Sequence, residues 1–389
     1  MITREELRQL AQVESPGGSA ISFYFQPTTP QDKSHRQETI LVKDLVRAAL
    51  RQAERGRNHQ VLRDDLQKIL QVAEGLYGNH SRGKVIFACS EREFWREVDL
   101  PPRLGRSQLW VNARFHLRPL VAAQAGVSLT CIALLNRLKA RIFEMYGDEL
   151  RQRPDLEFGP LPKTGRSDGY LGYEAGHRER HAENEIKNHF RLFADSLQLL
   201  LNRDKFEALV IGCHDDAWPE LEPLLHTYLK QRLLGRFLVD PVAATAEEVR
   251  EHAVRILEQH RHAQLRALVR EAVGEAQRNG RGAVGLRRVL TALERQEVQT
   301  LLVGGDFKSE AAECTNCRRL DTRMVRHCAV CGHKTRELGD ITDALLALAL
   351  RNGADIQCID DDPDLEKAGR VAALLRFRAD QNTAEKVAV

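Results

Sequence analysis

No hydrophobic run in this chain is long enough to cross a bilayer: the longest apolar stretch, around residues 119–135, is broken by Gln124. The opening residues, MITREE, start no signal peptide, so the expected compartment is a reducing cytoplasm, with no membrane partner. No glycine loop is followed by Gly-Lys-Ser or Gly-Lys-Thr, which removes Walker-type nucleotide hydrolysis. No serine or cysteine has neighbours that would activate it as a nucleophile. An excess of one charge is also missing, since 58 Lys and Arg meet 55 Asp and Glu for a net +3. With 42% hydrophobic and 29% charged residues, 389 residues should fold as about two or three globular domains.

Cysteine is sparse but patterned. Cys89, Cys131, Cys213 and Cys358 each lie in an apolar run that reads as a strand, where a thiol acts as a small buried hydrophobe. The other four, Cys314, Cys317, Cys328 and Cys331, form C-x2-C-x10-C-x2-C. Two CxxC turns, each aiming two thiolates at one point, make a tetrahedral S4 site for a structural Zn2+. A redox pair needs only one CxxC, opening a helix. All four positions would be filled by sulfur, so no place remains for a catalytic water. Binding of this kind is worth about 10–16 kcal/mol in small finger peptides. Its removal should loosen residues 308–338 and leave the first two domains folded. Between Cys314 and Leu338 stand Arg318, Arg319, Arg323, Arg326, Lys334 and Arg336 against Asp321 and Glu337. Part of that charge offsets the anionic metal centre; the rest suits a phosphate backbone or a partner.

The pattern divides into three α/β segments. Residues 1–122 hold a strand at 20–25, two amphipathic helices containing Leu45 and Leu66, a basic loop at 55–60 between them, and strands from 84, 93 and 108. Residues 123–279 open with hairpin strands and a polar loop. A helix follows whose apolar stripe runs through Ile186, Phe190, Phe193, Leu197 and Leu200, then a buried strand at 208–213 and a long helix headed by Thr245 and Glu248 as a capping box. Residues 280–389 alternate helix and strand, and the cysteine quartet falls after the strand at 298, so the ribbon at 308–338 is an insertion.

Several tempting motifs fail on context. Gly280-Arg-Gly-Ala-Val-Gly285 matches a dinucleotide fingerprint literally, but follows a helix where the fingerprint needs a strand, and reads as a flexible linker. His177 and His181 share a helix face, yet Arg178 stands where a zincin needs glutamate. Asp215-Asp216 reads as a helix N-cap, and Asp360-Asp361-Asp362 as a turn.

Taken in order, the strand at 21–25 with its two helices, residues 115–120 leading into 139–143, and residues 285–293, 300–303 and 368–377 with the inserted ribbon resemble the archaeo-eukaryotic class I release factor and Pelota family, in its bacterial branch. The resemblance covers nearly the whole chain. It implies an RNase H-like middle domain, a first domain facing the ribosomal decoding centre and a middle domain facing the peptidyl transferase centre.

Two departures bear on mechanism. Release factors of the family carry a Gly-Gly-Gln loop before the middle-domain helix; the matching stretch here, residues 165–176, has no glutamine. Stop-codon readers hold Asn-Ile-Lys-Ser between the first two helices, and this chain has RGRNHQ at 55–60. The resemblance therefore implies a factor that occupies the ribosomal A site without catalysis, a hibernation or stress factor. The alternatives are a peptidyl-tRNA hydrolase working through a divergent loop, and a cytosolic RNA-binding zinc-ribbon protein. Gly169, Tyr170, Gly172, Tyr173, His177, Arg178 and Arg180 would contact RNA at the peptidyl transferase centre, and Arg55, Arg57, Asn58 and His59 at the decoding centre. Arg318, Arg319, Arg323 and Arg326 would touch RNA or a partner. The implied partners are ribosomal RNA of both subunits, P-site tRNA and a GTPase of the elongation factor Tu type, with no DNA.

Overall fold

Thr3 and Glu6 start the first helix by capping one another: the Glu6 N–H donates to Thr3 Oγ1 at 3.2 Å, and the Thr3 N–H donates to the Glu6 carboxylate at 2.6 Å. The structure is a computed structural model that describes residues 2–26, 36–53, 59–75, 83–100, 107–124, 128–137, 139–147, 149–154 and 175–378. The helix, α1 (Arg4–Gln12), buries Leu7, Leu10 and Ala11. Its T-x-x-E signature stands in the sequence, although the apolar pattern predicts no helix there.

Strand β1 (Ala20–Phe25) is buried along its whole length. It pairs antiparallel with β2 (Gly83–Cys89) and β4 (Gln108–Asn112), and β3 (Phe94–Leu100) adds to β2, for the order β3-β2-β1-β4. Ile21, Phe23 and Phe25 face α2 (Arg36–Ala53) and α3 (His59–Gly75), packing on Val42, Val46, Leu66 and Ile69. The alternate residues of the sheet, Tyr24, Val85 and Phe87, enter a different core. A strand covered on both sides reads as a continuous apolar run, which is why this one is plain in the sequence. Helix α4 (Arg118–Gln124) comes next.

By its contacts the chain forms two compact units, Gly126–Ala263 alone and Met1–Ala125 together with Gln264–Val389. In the former, β5 (Leu129–Leu135), β6 (Ala140–Tyr146) and β7 (Glu149–Gln152) form an antiparallel meander. Helix α5 (Ala175–Asp204) leads to β8 (Ala208–Cys213), which pairs parallel with β5. The short α6 (Trp218–Leu221) and α7 (Thr227–Arg232) lead to β9 (Leu233–Phe237), parallel to β8. The order β7-β6-β5-β8-β9 is the RNase H-like arrangement. Phe190, Phe193 and Leu197 of α5 cover one face through Ala133, Leu209 and Ile211. The other face, through Ile132, Leu134 and Val210, packs on Val249 and Ala253 of α8 (Ala246–Gln277).

Asp215 does not cap α6. The helix N-cap is Ala217, without a side-chain bond, and the Asp215 carboxylate instead accepts from Arg236 at 2.6 Å. Opposite charge on the neighbouring strand outcompetes a helix of one turn.

From Leu265 onward α8 packs on the last segment, with Val269 and Ala272 against Leu302, Ile359 and Ala372. There β10 (Gly282–Val284), β11 (Val298–Gly304), β15 (Asp355–Ile359) and β16 (Val371–Leu375) form a sheet in the order β10-β16-β11-β15. Helices α9 (Leu286–Glu294), α10 (Thr342–Arg351) and α11 (Pro363–Lys367) complete it, and Asp362 caps the last by accepting from the Asp364 and Leu365 N–H groups. The GRGAVG motif is no linker: Gly282 lies within the edge strand, and a Cβ there would stand 2.3 Å from the Ala272 carbonyl oxygen. Gly285, at φ 84, turns the chain into α9.

Between β11 and α10 lies the ribbon, with β12 (Ala311–Cys314), β13 (Leu320–Asp321) and β14 (Thr335–Leu338) in the order β13-β12-β14. One core joins the first segment to the last: Leu7, Leu10, Phe87 and Phe115 pack in the same cluster as Val289, Leu301, Leu345 and Ala373. This shared apolar surface places the two sequence segments in one contact unit.

Candidate metal centre and the charged seam beside it

β12 delivers Cys314 to the end of a ladder, and the chain reverses through Arg318, held left-handed at φ 63. The N–H groups of Asn316 and Cys317 both point at Cys314 Sγ, at 3.4 Å. Val330 repeats the contact at Cys328 Sγ, at 3.4 Å, and Gly332, at φ 71, closes that second turn. The four Sγ atoms lie within 4.8 Å of one another, with Cys314–Cys331 at 3.3 Å and Cys317–Cys328 at 3.6 Å. A tetrahedron with metal–sulfur bonds of about 2.3 Å has sulfur–sulfur edges of about 3.8 Å. The cage fits one such ion, and the sulfurs stand well beyond disulfide length.

Backbone N–H groups prepare three of these thiols to ionise. The His333 N–H, with the Cys314 side chain, holds the Cys331 thiol down at about 7. The Cys331 and Val330 N–H groups lower Cys328. Burial would raise Cys314, but the Cys317 and Asn316 N–H groups outweigh it and the thiol is lowered. The Arg319 N–H favours the Cys317 thiolate, yet burial and the three other sulfurs push that thiol up to about 12. Among the described residues this quartet is the one group of side chains placed to hold a metal. Cys89, Cys131 and Cys213 are buried in strands and Cys358 is half-buried, all apart from the cage.

Beside the cage runs a seam of buried charge. Glu313, with no exposed surface, accepts from Arg336 Nε at 2.8 Å and from Arg114 Nη1 at 3.1 Å. Burial alone would raise the Glu313 carboxyl, but the Arg114 and Arg336 guanidiniums hold it below the usual range. Arg114, 5% exposed, also donates to Glu14 Oε1 at 2.8 Å. Glu14 Oε2 in turn meets Arg318 at 2.9 Å. Further along, His116 Nδ1 pairs with Asp343 at 2.9 Å, and Arg118 donates to the Gly305 and Phe307 carbonyls at 2.7 and 2.6 Å.

The ribbon arginines thus have different surroundings. Arg318 and Arg319 are engaged by Glu14 and Glu294, the latter at 3.0 Å. Arg323 leans on Asp321 at 3.4 Å but is 70% exposed, and Arg326 is exposed. Gly169, Tyr170, Gly172, Tyr173, Arg55, Arg57 and Asn58 lie outside the described residues. His59 opens α3, and His177, Arg178 and Arg180 lie in the first turns of α5, their side chains outside what the structure describes. Glu14, Arg114 and Glu313 are not singled out by sequence motifs. The available signal is a lone charge in an apolar setting, as in AAEC at 311–314.

Fold and site together define a multi-domain α/β protein with an RNase H-like sheet and a four-cysteine ribbon inserted in its other unit. Residues 116–261 match the family model described as bacterial archaeo-eukaryotic release factor family 10. The chain is 24% identical to peptide chain release factor subunit 1 of Archaeoglobus fulgidus, over 97% of each. Among solved structures, Archaeoglobus fulgidus Pelota aligns over 97% of this chain and 93% of its own, at 13% identity and a TM-score of 0.38. The archaeal translation termination factor aRF1 aligns over 97% and 99%, at 16% identity and a TM-score of 0.25. The sheet orders define the fold independently of these superpositions. The chain is thus similar to an archaeal release factor along nearly its whole length, and its residues 116–261 carry the match to the bacterial archaeo-eukaryotic release factor family. Among the described residues no helix is long and apolar enough to cross a membrane.

Proposed function

We propose that this chain binds the ribosomal A site in the cytoplasm and holds the ribosome idle, without hydrolysing peptidyl-tRNA. The observation that carries this reading is the stretch 165–176, GRSDGYLGYEAG, which stands where the family's release factors have Gly-Gly-Gln and contains no glutamine. A release factor aligns a water against an ester through that loop's backbone; without it, positioning of the water is lost and binding remains. Tyr170 and Tyr173 supply faces on which unpaired bases stack, with His177, Arg178 and Arg180 beside them. Arg55, Arg57, Asn58 and His59 replace a codon-reading loop with phosphate contacts, which position a protein without reading sequence. Arg323 and Arg326 extend the cationic surface onto the ribbon, and Cys314, Cys317, Cys328 and Cys331 hold the Zn2+ that folds it. P-site tRNA and a GTPase of the elongation factor Tu type complete the proposed complex.

Similarity to a release factor along 97% of the chain favours a second reading, peptidyl-tRNA hydrolysis through the divergent loop. Ribosomes carrying labelled peptidyl-tRNA separate the two. Stable co-sedimentation with no peptide release is expected. Release that disappears in Tyr170→Ala/Tyr173→Ala would establish the hydrolase. Failure to co-sediment with idle or translating ribosomes at physiological salt would overturn both and leave an RNA-binding role elsewhere.

A further inference from the structure

The cysteine quartet and the charged seam share their residues' neighbours. Glu313 immediately precedes the ligand Cys314, and Arg318 immediately follows the ligand Cys317. The turn that a metal would close therefore also sets the positions of the two ribbon side chains that reach the first segment. Glu313 holds Arg114, and Arg318 holds Glu14 at 2.9 Å. Glu14 and Arg114 are themselves paired by a backbone bridge, with the Ser15 N–H donating to the Ala113 carbonyl at 2.9 Å.

We propose that metal binding at the cysteine quartet is coupled through this seam to the docking of the first segment, residues 2–124, on the last. The inference goes beyond the A-site reading and does not depend on it. It extends the expectation that metal loss loosens residues 308–338 while the first two domains stay folded.

Two physical points carry it. The knuckle holds Arg318 left-handed, its N–H donating to the Cys314 carbonyl at 3.2 Å, so the turn that carries the ligands Cys314 and Cys317 also sets where the guanidinium meets Glu14. If β12 loosens, Arg114, only 5% exposed in the closed seam, keeps only Glu14 as a carboxylate partner. A buried guanidinium stripped of a partner carries an uncompensated charge, so the seam cannot remain closed and dry beside a disordered ribbon. Charge points the same way. Two carboxylates, Glu14 and Glu313, face four guanidiniums, Arg114, Arg318, Arg336 and Arg351, so opening the ribbon would leave the seam's surplus positive charge less compensated.

Coupling is reciprocal, so disturbing the first segment must weaken metal binding at the quartet. Hydrogen exchange on the full chain, with and without a zinc chelator, tests the forward direction without any variant. Protection should fall at 311–338 and also at 13–15 and 113–116, with β8 of the other unit unchanged. Zinc affinity by chelator competition tests the reverse. Glu14→Gln, far from the ligands in sequence, should weaken zinc binding at least about fivefold. Glu14→Gln with Arg318→Met should lose no more than the larger single loss. Unchanged exchange at 13–15 and 113–116 on chelation, undiminished zinc affinity in Glu14→Gln, or additive losses in the double variant would each overturn the proposal.

Discussion

The Arg114 guanidinium donates to the Glu313 carboxylate, Nη1 to Oε2 at 3.1 Å, across 199 positions of sequence. Both side chains are buried, so each is the other's replacement for water. Arg114→Met should cost about 3–5 kcal/mol, the usual penalty for leaving one partner of a buried pair behind. Arg114→Lys should recover only part of it, because an ammonium cannot fork between Glu14 and Glu313. Urea denaturation of the full chain measures both.

The purified chain should carry one Zn2+, bound through Cys314, Cys317, Cys328 and Cys331. Cys314→Ser should weaken zinc by more than about 100-fold, beyond the 10–100-fold typical of losing an outer partner. Elemental analysis and competition with a chromophoric chelator give the stoichiometry and the affinity.

His189 makes the stability of the RNase H-like unit depend on pH. Burial lowers its pKa below the ordinary value, against a smaller opposite effect of the Asn136 backbone. A base whose folded pKa is depressed stays neutral in the fold while the unfolded chain takes up a proton. Stability is therefore full above about pH 6.5 and declines as pH falls below it toward the folded value. Thermal unfolding of wild type and His189→Leu between about pH 7 and pH 5 should show the slope shrinking in the variant.

Gly282 lies where β10 meets the backbone of α8, with a would-be Cβ 2.3 Å from the Ala276 nitrogen. Gly282→Ala should destabilise by about 1–3 kcal/mol through overpacking, read from the denaturation midpoint. A linker glycine would tolerate the change.

If the ribbon meets ribosomal RNA, Arg323→Glu/Arg326→Glu should weaken co-sedimentation and flatten its salt dependence. The slope should fall by roughly 0.7 for each phosphate that is no longer neutralised, as for single strands. Arg319→Glu acts differently, since its guanidinium is engaged by Glu294 at 3.0 Å, and its main effect should be on stability.

Much of the fold is legible in the sequence because its signals are local. β1 and β8, buried on both faces, read as continuous apolar runs, and the stripe from Phe190 to Leu200 repeats at helical spacing. The short edge strands β7 and β9 escape such a reading: four or five residues with arginine among them leave no period to detect. Helix α1 has its capping box in view, yet nine residues hold too few apolar positions to make a stripe.

By itself the sequence determined the α/β alternation, the ribbon as an insertion, and a cage of four thiols, since each depends on spacings of a few residues that the backbone converts directly into geometry. Only the tertiary structure decided that the first and last segments share one core, that Arg318 and Arg319 are held by Glu14 and Glu294, and that GRGAVG is a strand pressed on a helix. The physical reason is the same in each case. An apolar face or a buried charge specifies that it must be covered or paired, but not by which distant part of the chain, and that choice is made when the segments pack.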